Sequence, residues 1–354
     1  MPTAPQAAGD RSSFARAAAP PAANLRQAVA GYQGPLLRRS LWQIATSFLP
    51  FLALCAAMYV GLALGLPFWA ILPPAVLAAG FVVRIFIIQH DCGHGSFFRS
   101  RRANEWLGWI CSLFTATPFA NWRRQHAGHH AAWNNLDRRE GGVDMYSSCL
   151  TVAEYRAMSR FGRLRYRILC HPVVALLILP PVIFLLLYRL PFDTPRAWRA
   201  ERLSVHLTNL ALLALVLGLG FTLGFRAMLL VQLPVMVIAA TIGVWLFSVQ
   251  HRFETTLWTR QTDWRAVTAA LEGSSYLRLP RLLQWFTGNI GYHHVHHLNA
   301  QVPNYRLQAC HEALPELQQM PGLSLWQALR GARLALWDEE AGRMVGFRQV
   351  MMRG

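Results

Sequence analysis

The sequence predicts an all-α integral membrane protein: two transmembrane helical hairpins, with about four spans, and a cytoplasmic helical cap that carries a histidine-rich site for two metal ions. Three observations predict this fold. Hydrophobic residues make up 54% of the 354 residues, two long stretches are almost free of charge, and eight of the 13 histidines fall in three tight groups. Such hydrophobicity, combined with a net charge of +17, is not that of a basic soluble nucleic-acid-binding protein.

The first 40 residues are rich in alanine, proline and arginine, and they contain no apolar run long enough for the core of a signal peptide. A segment of this composition buries little apolar surface. We therefore expect residues 1–40 to form a disordered cytoplasmic tail and residues 41–354 to form the membrane domain.

The first hairpin is predicted from the absence of charge. Residues 41–83 contain no Asp, Glu, Lys or Arg, and this length is enough for two helices of about 20 residues each. The join is expected at residues 63–67, where Gly65 and Pro67 favour a turn. The sequence therefore predicts spans at about residues 41–64 and 67–89.

The second hairpin follows the same logic. Only His206 and Arg226 interrupt the apolar stretch at residues 204–250, and a tight turn is expected at residues 224–226. The predicted spans are residues 205–224 and 227–249.

Arginines cluster before the first hairpin, between the hairpins and after the second. The positive-inside rule therefore places residues 90–204 and 250–354 in the cytoplasm. Each histidine group lies in one of these regions, so all three groups are expected on the same side of the membrane. The charge count ignores histidine, which makes the two arguments independent.

Two further apolar segments, residues 106–120 and 173–190, are expected to be re-entrant or to lie at the membrane interface. The first is short for a span, and Pro180 and Pro181 interrupt the second. A full crossing by the second segment would also deliver the last histidine group to the opposite face.

The histidine groups have the spacing of helix-borne metal ligands. Residues three or four apart lie on the same face of a helix, so each group aims its imidazoles at one point. Eight ligands are too many for one zinc ion, and two metal ions fit better; imidazole suits iron, copper, nickel and zinc alike. The eight are His90, His94, His126, His129, His130, His293, His296 and His297.

These groups resemble the three histidine boxes of the membrane-bound fatty acid desaturases, a branch of the histidine-box di-iron oxygenases. The boxes read HDCGHGSFF at residues 90–98, QHAGHH at 125–130 and GNIGYHHVHHL at 288–298. Their surroundings are similar to bacterial acyl-lipid desaturases of the omega-6 (delta-12) type. The matching stretches are LDRR at 136–139, GVD at 142–144, VQHRFE at 249–254 and VPNY at 302–305.

The resemblance implies a reaction and its partners. A membrane-embedded enzyme of this family inserts a cis double bond into a lipid-linked acyl chain, using two non-haem iron ions and dioxygen. An unactivated methylene has no acidic proton, so acid-base chemistry alone cannot oxidise it. The sequence contains no cytochrome b5 or flavin motif, and we expect a separate electron donor, a ferredoxin by hypothesis. The expected location is the bacterial inner membrane, with the site on the cytoplasmic face.

The resemblance also implies roles for further residues. His251 is expected to be a ninth metal ligand, whereas His294 occupies a variable position of its box. Phe247 stands where some animal relatives carry an asparagine that holds a metal-bound water, so we expect water to complete the second metal in another way. Candidates for supporting the ligands, or for ordinary ion pairs with arginines, are Asp91, Asp137, Glu254 and Asn289; Trp122 and Trp133 are candidates for lining the acyl site.

Two alternatives stay open from the sequence. The same centre in a related enzyme hydroxylates or ketolates a lipid or a carotenoid. A protein of another class, one that binds or transports metal without catalysis, would place polar or ionisable groups inside its spans. The spans predicted here are nearly free of such groups.

Overall fold

The computed structural model of the chain describes residues 22–139 and 148–352. The GVD stretch at residues 142–144 lies outside them. The α-helices are α1 (Ala22–Ala30), α2 (Leu37–Ala63), α3 (Phe68–His94), α4 (Arg101–Thr115), α5 (Phe119–Ala132), α6 (Val152–Ala157), α7 (Arg160–Leu169), α8 (Leu179–Leu185), α9 (Arg199–Leu223), α10 (Phe225–His251), α11 (Ala266–Glu272), α12 (Arg281–Phe286), α13 (His293–Leu298), α14 (Asn304–Ala313), α15 (Pro315–Gln318), α16 (Leu325–Gly331) and α17 (Phe347–Met351).

Four of these helices are long and apolar enough to cross a membrane: α2, α3, α9 and α10. They form the two predicted hairpins, which confirms the fold class. The helices extend beyond the predicted spans, because α3 continues to His94 and α10 continues to His251. Each of these two helices therefore projects past its apolar stretch and carries histidines on its last turn.

The prediction of a disordered tail through residue 40 is wrong for residues 22–40. Leu25 and Val29 are four residues apart on α1, and both side chains are buried against the cap. The backbone N–H of Leu36 donates a hydrogen bond to the hydroxyl of Tyr305, and α2 begins at Leu37. Residues 1–21 lie outside the described part of the chain.

The apolar segment predicted at residues 106–120 is divided between two helices. Helix α4 ends at Thr115, Ala116 has a φ of 52°, and Pro118 lacks the N–H that a continuous helix requires. Trp106 projects to the outside with 72% of its surface exposed, while the opposite face of α4 is buried against α3. Helix α5 then starts in a new direction and carries the second histidine box.

A bent segment connects the two hairpins. Helix α7 and residues 174–189 meet at an angle of 54°. The second part comprises a π-helical turn (Val174–Ile178), α8 and a 3₁₀ turn (Leu187–Arg189). The guanidinium group of Arg189 donates to the carbonyl of Ala116, and Asn209 of α9 donates to the carbonyl of Arg189. These contacts hold the end of the segment against the junction of α4 with α5 and against α9. Residues 174–189 are named the re-entrant segment, after the course predicted for them from the sequence.

The remaining short elements form the cap over the histidine end of the bundle. Its strands are β1 (Leu150–Thr151), β2 (Tyr276–Leu277), β3 (Gly322–Leu323), β4 (Leu336–Asp338) and β5 (Arg343–Val345). Strand β4 pairs in parallel with β1 and antiparallel with β5, while β2 and β3 form a separate parallel pair. These strands pack the C-terminal residues against the loop that follows α10.

Candidate metal centre

Four helices deliver histidines to one region at the junction between the bundle and the cap. The last turn of α3, the second half of α5, the final residue of α10 and the whole of α13 meet there. All nine histidines predicted as ligands are brought together, including His251, which lies outside the three boxes. The three- and four-residue spacing has the predicted effect, because each helix presents its histidines on one face.

The nine histidines form two separate groups. Within each group, the candidate ligand atoms lie within 4.8 Å of one another. The five-histidine group consists of His90, His94, His126, His130 and His296, and the four-histidine group consists of His129, His251, His293 and His297. Each group takes members from three helices, so neither group exists until the tertiary structure has formed.

The nitrogen separations fit metal coordination. In the five-histidine group, the Nε2 atom of His126 lies 3.1 Å from that of His94 and 3.2 Å from that of His130. In the four-histidine group, the Nε2 atom of His293 lies 3.0 Å from that of His251 and 2.9 Å from that of His297. Nitrogens about 2.1 Å from one ion, at angles between octahedral and tetrahedral, would be about 3.0–3.4 Å apart.

The environment keeps imidazoles on α5 and α13 neutral. Burial, followed by the electrostatic effect of neighbouring histidines, holds the pKa of His126 well below its usual value. The same causes act on the pKa of His129, and on that of every ligand candidate in α13. A neutral imidazole offers a lone pair to a metal ion, whereas a protonated one does not. Both groups are therefore compatible with metal binding at neutral pH.

Asp91 contacts one of the ligand candidates. Its Oδ1 atom lies 3.3 Å from Nδ1 of His90, and its Oδ2 atom accepts hydrogen bonds of 2.7 Å from both the backbone N–H and the side-chain amide of Asn304. Asn304 in turn exchanges hydrogen bonds with Gln43 of α2. A carboxylate held in this way favours the tautomer with the proton on Nδ1, which leaves Nε2 free for a metal.

We expect the substitution Asp91→Asn to weaken metal binding by about 10- to 100-fold. The amide oxygen would stay with the two donors of Asn304, so the amide NH₂ would face Nδ1 of His90. That arrangement moves the imidazole proton of His90 from Nδ1 to Nε2, the nitrogen that would bind the metal. Metal content after dialysis against a graded chelator series measures the effect.

The matched control for this prediction is Asp137→Asn. Asp137 is exposed and receives a hydrogen bond of 2.8 Å from Arg260. The arginine and the backbone N–H of Gln261 hold the pKa of Asp137 below its usual value. Equal metal loss in the two variants would mean that the contact between Asp91 and His90 does not orient the ligand.

The other candidates for supporting ligands do not reach the histidine groups. Asp137 has the alternative role named for it, an ion pair with an arginine. Glu254 also forms an ion pair, with Arg343 at 3.0 Å, and its side chain is 61% exposed. Asn289 donates to the backbone carbonyl of Asn304 at 3.2 Å. The contacts of these three residues are therefore with other parts of the cap and not with the histidine nitrogens.

His251 and Phe247 lie next to each other at the end of α10. The His251 side chain is fully buried, and its Nδ1 atom lies 3.4 Å from the carbonyl of Gly273. The Phe247 ring packs against the rings of His129 and His251, at 5.4 and 5.7 Å between centroids. Among residues 22–139 and 148–352, no fifth histidine, cysteine or carboxylate joins the four-histidine group. An apolar ring therefore borders this group.

His294 stands apart from both groups, although it belongs to the third box. Its Nε2 atom lies 3.1 Å from Nδ1 of His311, and the two rings pack beside Tyr276. Burial lowers the pKa of His294 to about 3. The lone histidine His206 is exposed on α9.

An apolar cavity of about 220 Å³ opens beside the histidines. His90, His126 and His293 line one end of it, and Met236 of α10 lines it farther along the bundle. Gln250 also lines the cavity, and Met236 precedes it by 14 residues, which corresponds to about 21 Å along a helix. The cavity therefore has an elongated form that suits a hydrocarbon chain.

The cavity walls correct one prediction and add new residues. Trp122 lines the cavity and stacks on His126 at 4.7 Å, whereas Trp133 is absent from the lining. The re-entrant segment supplies a wall through Ile183 and Phe184, and α10 contributes Gly243. No pattern in the sequence predicted this wall, because the paired prolines indicated only an interruption.

Comparison with known proteins agrees with this geometry. The family model described as fatty acid desaturase matches residues 67–328. A fatty acid desaturase of Bacillus subtilis (strain 168) is 43% identical over 326 residues, which cover 92% of this chain and 91% of the relative.

Two proteins of Synechocystis sp. (strain ATCC 27184 / PCC 6803 / Kazusa) are also similar. One is named sn-1 acyl-lipid omega-3 desaturase (ferredoxin), with 29% identity over 77% of this chain and 76% of the relative. The other is named sn-1 oleoyl-lipid 12-desaturase, with 28% identity over 76% of this chain and 75% of the relative. These matches favour desaturation over the hydroxylase, ketolase and metal-transport alternatives. The chain therefore belongs to the fatty acid desaturase family of membrane oxidoreductases.

Proposed function

We propose that this desaturase inserts a cis double bond into the acyl chain of a membrane lipid, with two iron ions held by the nine histidines and dioxygen as the oxidant. One observation supports the proposal above all others. Two groups of neutral imidazoles lie at the end of an elongated apolar cavity, and the cavity runs beside the membrane-spanning part of α10. This arrangement would bring a hydrocarbon chain to a redox-active metal centre.

Iron bound to these histidines would supply the activation of dioxygen that removes hydrogen from an unactivated methylene. Imidazole ligands alone do not select iron over zinc or copper. The choice rests on the reaction, because zinc has no redox chemistry and the family reaction is an oxidation.

The chain's own residues bind and orient the substrate. Apolar side chains of α3, α10 and the re-entrant segment exclude water from the cavity and hold the chain beside His90, His126 and His293. Trp122 and Phe247 narrow the space next to the two histidine groups. A methylene held there would have few alternative positions, which is the condition for a single site of desaturation.

A lipid-linked substrate suits the position of the cavity wall. Leu177, Ile178 and Leu186 of the re-entrant segment are 51–61% exposed on its outer side. An acyl chain of the bilayer would therefore lie on one side of this wall and the cavity on the other. The names of the two Synechocystis relatives, both acting on lipid-linked chains, support the same substrate class.

A ferredoxin is the proposed electron donor, and the cytoplasm the proposed side. The name of one relative includes ferredoxin, and this sequence contains no cytochrome b5 or flavin motif of its own. The arginine-rich segments adjoin the histidine end of the bundle, so the positive-inside rule would place that end in the cytoplasm of a bacterial cell.

Membrane fatty acids of a bacterial host test the proposal. The host expresses the chain together with a ferredoxin and its reductase, and we expect a new cis-unsaturated acid whose double-bond position is read by mass spectrometry. The variant His129→Ala, which removes a member of the four-histidine group, is expected to abolish the new acid. The variant His206→Ala is expected to retain it, because His206 is exposed on α9 and belongs to neither group.

Unchanged fatty acids would contradict the proposal, provided that the purified protein contains two iron ions and the donor reduces them. The search would then turn to hydroxylated or ketolated lipids. Loss of the product in His206→Ala as well as in His129→Ala would indicate a general loss of folded protein rather than a damaged metal site.

A further inference from the structure

Trp133 occupies a position that the acyl cavity does not explain. It follows α5 directly, and its ring is 5% exposed. The ring centroid lies 4.4 Å from that of His297 in the four-histidine group and 6.1 Å from that of His130 in the five-histidine group. One indole therefore contacts a ligand candidate of each group, on a side where no cavity-lining role accounts for it.

A second tryptophan connects Trp133 to the surface. The rings of Trp133 and Trp264 meet edge to face, at 5.6 Å between centroids, and Trp264 is partly exposed in the cap just before α11. Hydrogen bonds fix both rings: the indole N–H of Trp264 donates to the carbonyl of Trp133 at 2.9 Å, and that of Trp133 donates to the carbonyl of Ala269 at 3.1 Å. The pair is a rigid aromatic contact from solvent to both groups.

We propose that Trp264 and Trp133 form the entry path for electrons from the external donor, an inference that rests on the proposed di-iron function. Each of two reduced one-electron iron–sulfur proteins would lose one electron, and each of two ferric ions held by the histidines would gain one. Neither indole changes its own oxidation state, because the pair serves only as a packed π contact through which the electron tunnels. The exposed edge of Trp264 is then the point at which the donor makes contact.

This path accounts for the continuous packing of the two rings and for the contact of Trp133 with both histidine groups. Tunnelling falls steeply with distance and with gaps in packing, so a route from a surface donor to a buried centre requires continuous contact. Trp133 contacts both groups, since it packs against His130 of one group and His297 of the other. Substrate and donor would also be kept apart, because Trp122 lines the acyl cavity while Trp133 lies outside its lining.

The test measures reduction of the iron-loaded protein by stopped-flow absorbance, with reduced ferredoxin in excess and dioxygen excluded. We expect Trp264→Leu to slow reduction by at least about tenfold, while Trp264→Phe retains most of the rate. Dithionite, a small reductant that does not need the docking point, is expected to reduce all variants at similar rates. Trp326→Leu serves as the matched control, because Trp326 is also exposed in the cap, at 61%.

A second measurement separates electron entry from simple docking. Binding of ferredoxin to the metal-free protein is expected to change by no more than about threefold in Trp264→Leu. A loss of affinity that accounts for the whole loss of rate would overturn the path, as would an unchanged rate of reduction. The proposed desaturase function fails separately, if the wild-type protein holds no iron or makes no unsaturated acid with the same donor.

Discussion

His251→Ala is expected to lower the iron content from two ions per chain to about one, and to reduce product formation by at least about 100-fold. His251 is one of only four histidines in its group, while the other group keeps all five members. Three remaining imidazoles would hold an ion more weakly than four, and the proposed di-iron reaction requires both ions. Iron analysis of the purified protein and fatty acid analysis of the host measure the two effects.

The control for this variant is His294→Ala. Both side chains are fully buried, so their removal leaves holes of similar size, but His294 contacts His311 instead of either group. We expect two iron ions and most of the activity in the control. Two ions retained in His251→Ala would remove His251 from the ligand set, despite its distance of 3.0 Å to His293.

Gly243→Leu is expected to shorten the space available to the acyl chain. Gly243 lines the cavity, and a Cβ atom added there would meet no atom within 4 Å. Position 243 precedes His251 by eight residues, or about 12 Å along the helix. A polar headgroup would not enter an apolar cavity, so the methyl end of the chain points past Gly243.

The leucine side chain would therefore block chains with a long methyl-terminal part. We expect formation of the wild-type product to fall on the order of tenfold, and fewer carbons to separate the double bond from the methyl end in what remains. Gas chromatography with mass spectrometry gives both quantities. Unfolding would not explain the loss, because leucine favours a helix interior, whereas glycine is about 0.8–1.0 kcal/mol less favourable than alanine there.

Gly218→Leu is the control for the cavity variant. Gly218 lies on the exposed face of α9, and an added Cβ atom there would also meet no neighbour within 4 Å. Its product is expected to match that of the wild-type protein in amount and in double-bond position. An unchanged product from Gly243→Leu would mean that the acyl chain does not occupy the cavity beside α10.

The hairpins and the histidine groups could be predicted because their signals are local. A charge-free stretch directly indicates a span, and histidines three or four residues apart indicate a shared helical face. His251 carries no such spacing signal, and its assignment came from a family resemblance. The assignment of residues to two separate groups was not predictable, since His130 and His129 are adjacent in sequence but belong to different groups.

Contacts between distant segments explain the predictions that failed. Leu25 and Val29 are buried only because the cap supplies a surface for them, so composition alone indicated disorder. Asp137 and Glu254 lie near histidines in sequence, but loops turn them toward arginines. The hydrogen bond between Asn304 and Asp91 joins residues that are more than 200 positions apart in sequence, so no local pattern predicts it.

Anomalous diffraction at the iron absorption edge, from crystals of the iron-loaded protein, tests the central claim most directly. We expect two anomalous peaks, one among the five nitrogens of the five-histidine group and one among the four nitrogens of the four-histidine group. A single peak, two peaks that persist at the zinc edge but vanish at the iron edge, or iron bound away from the nine histidines would contradict the account of this protein as a di-iron desaturase.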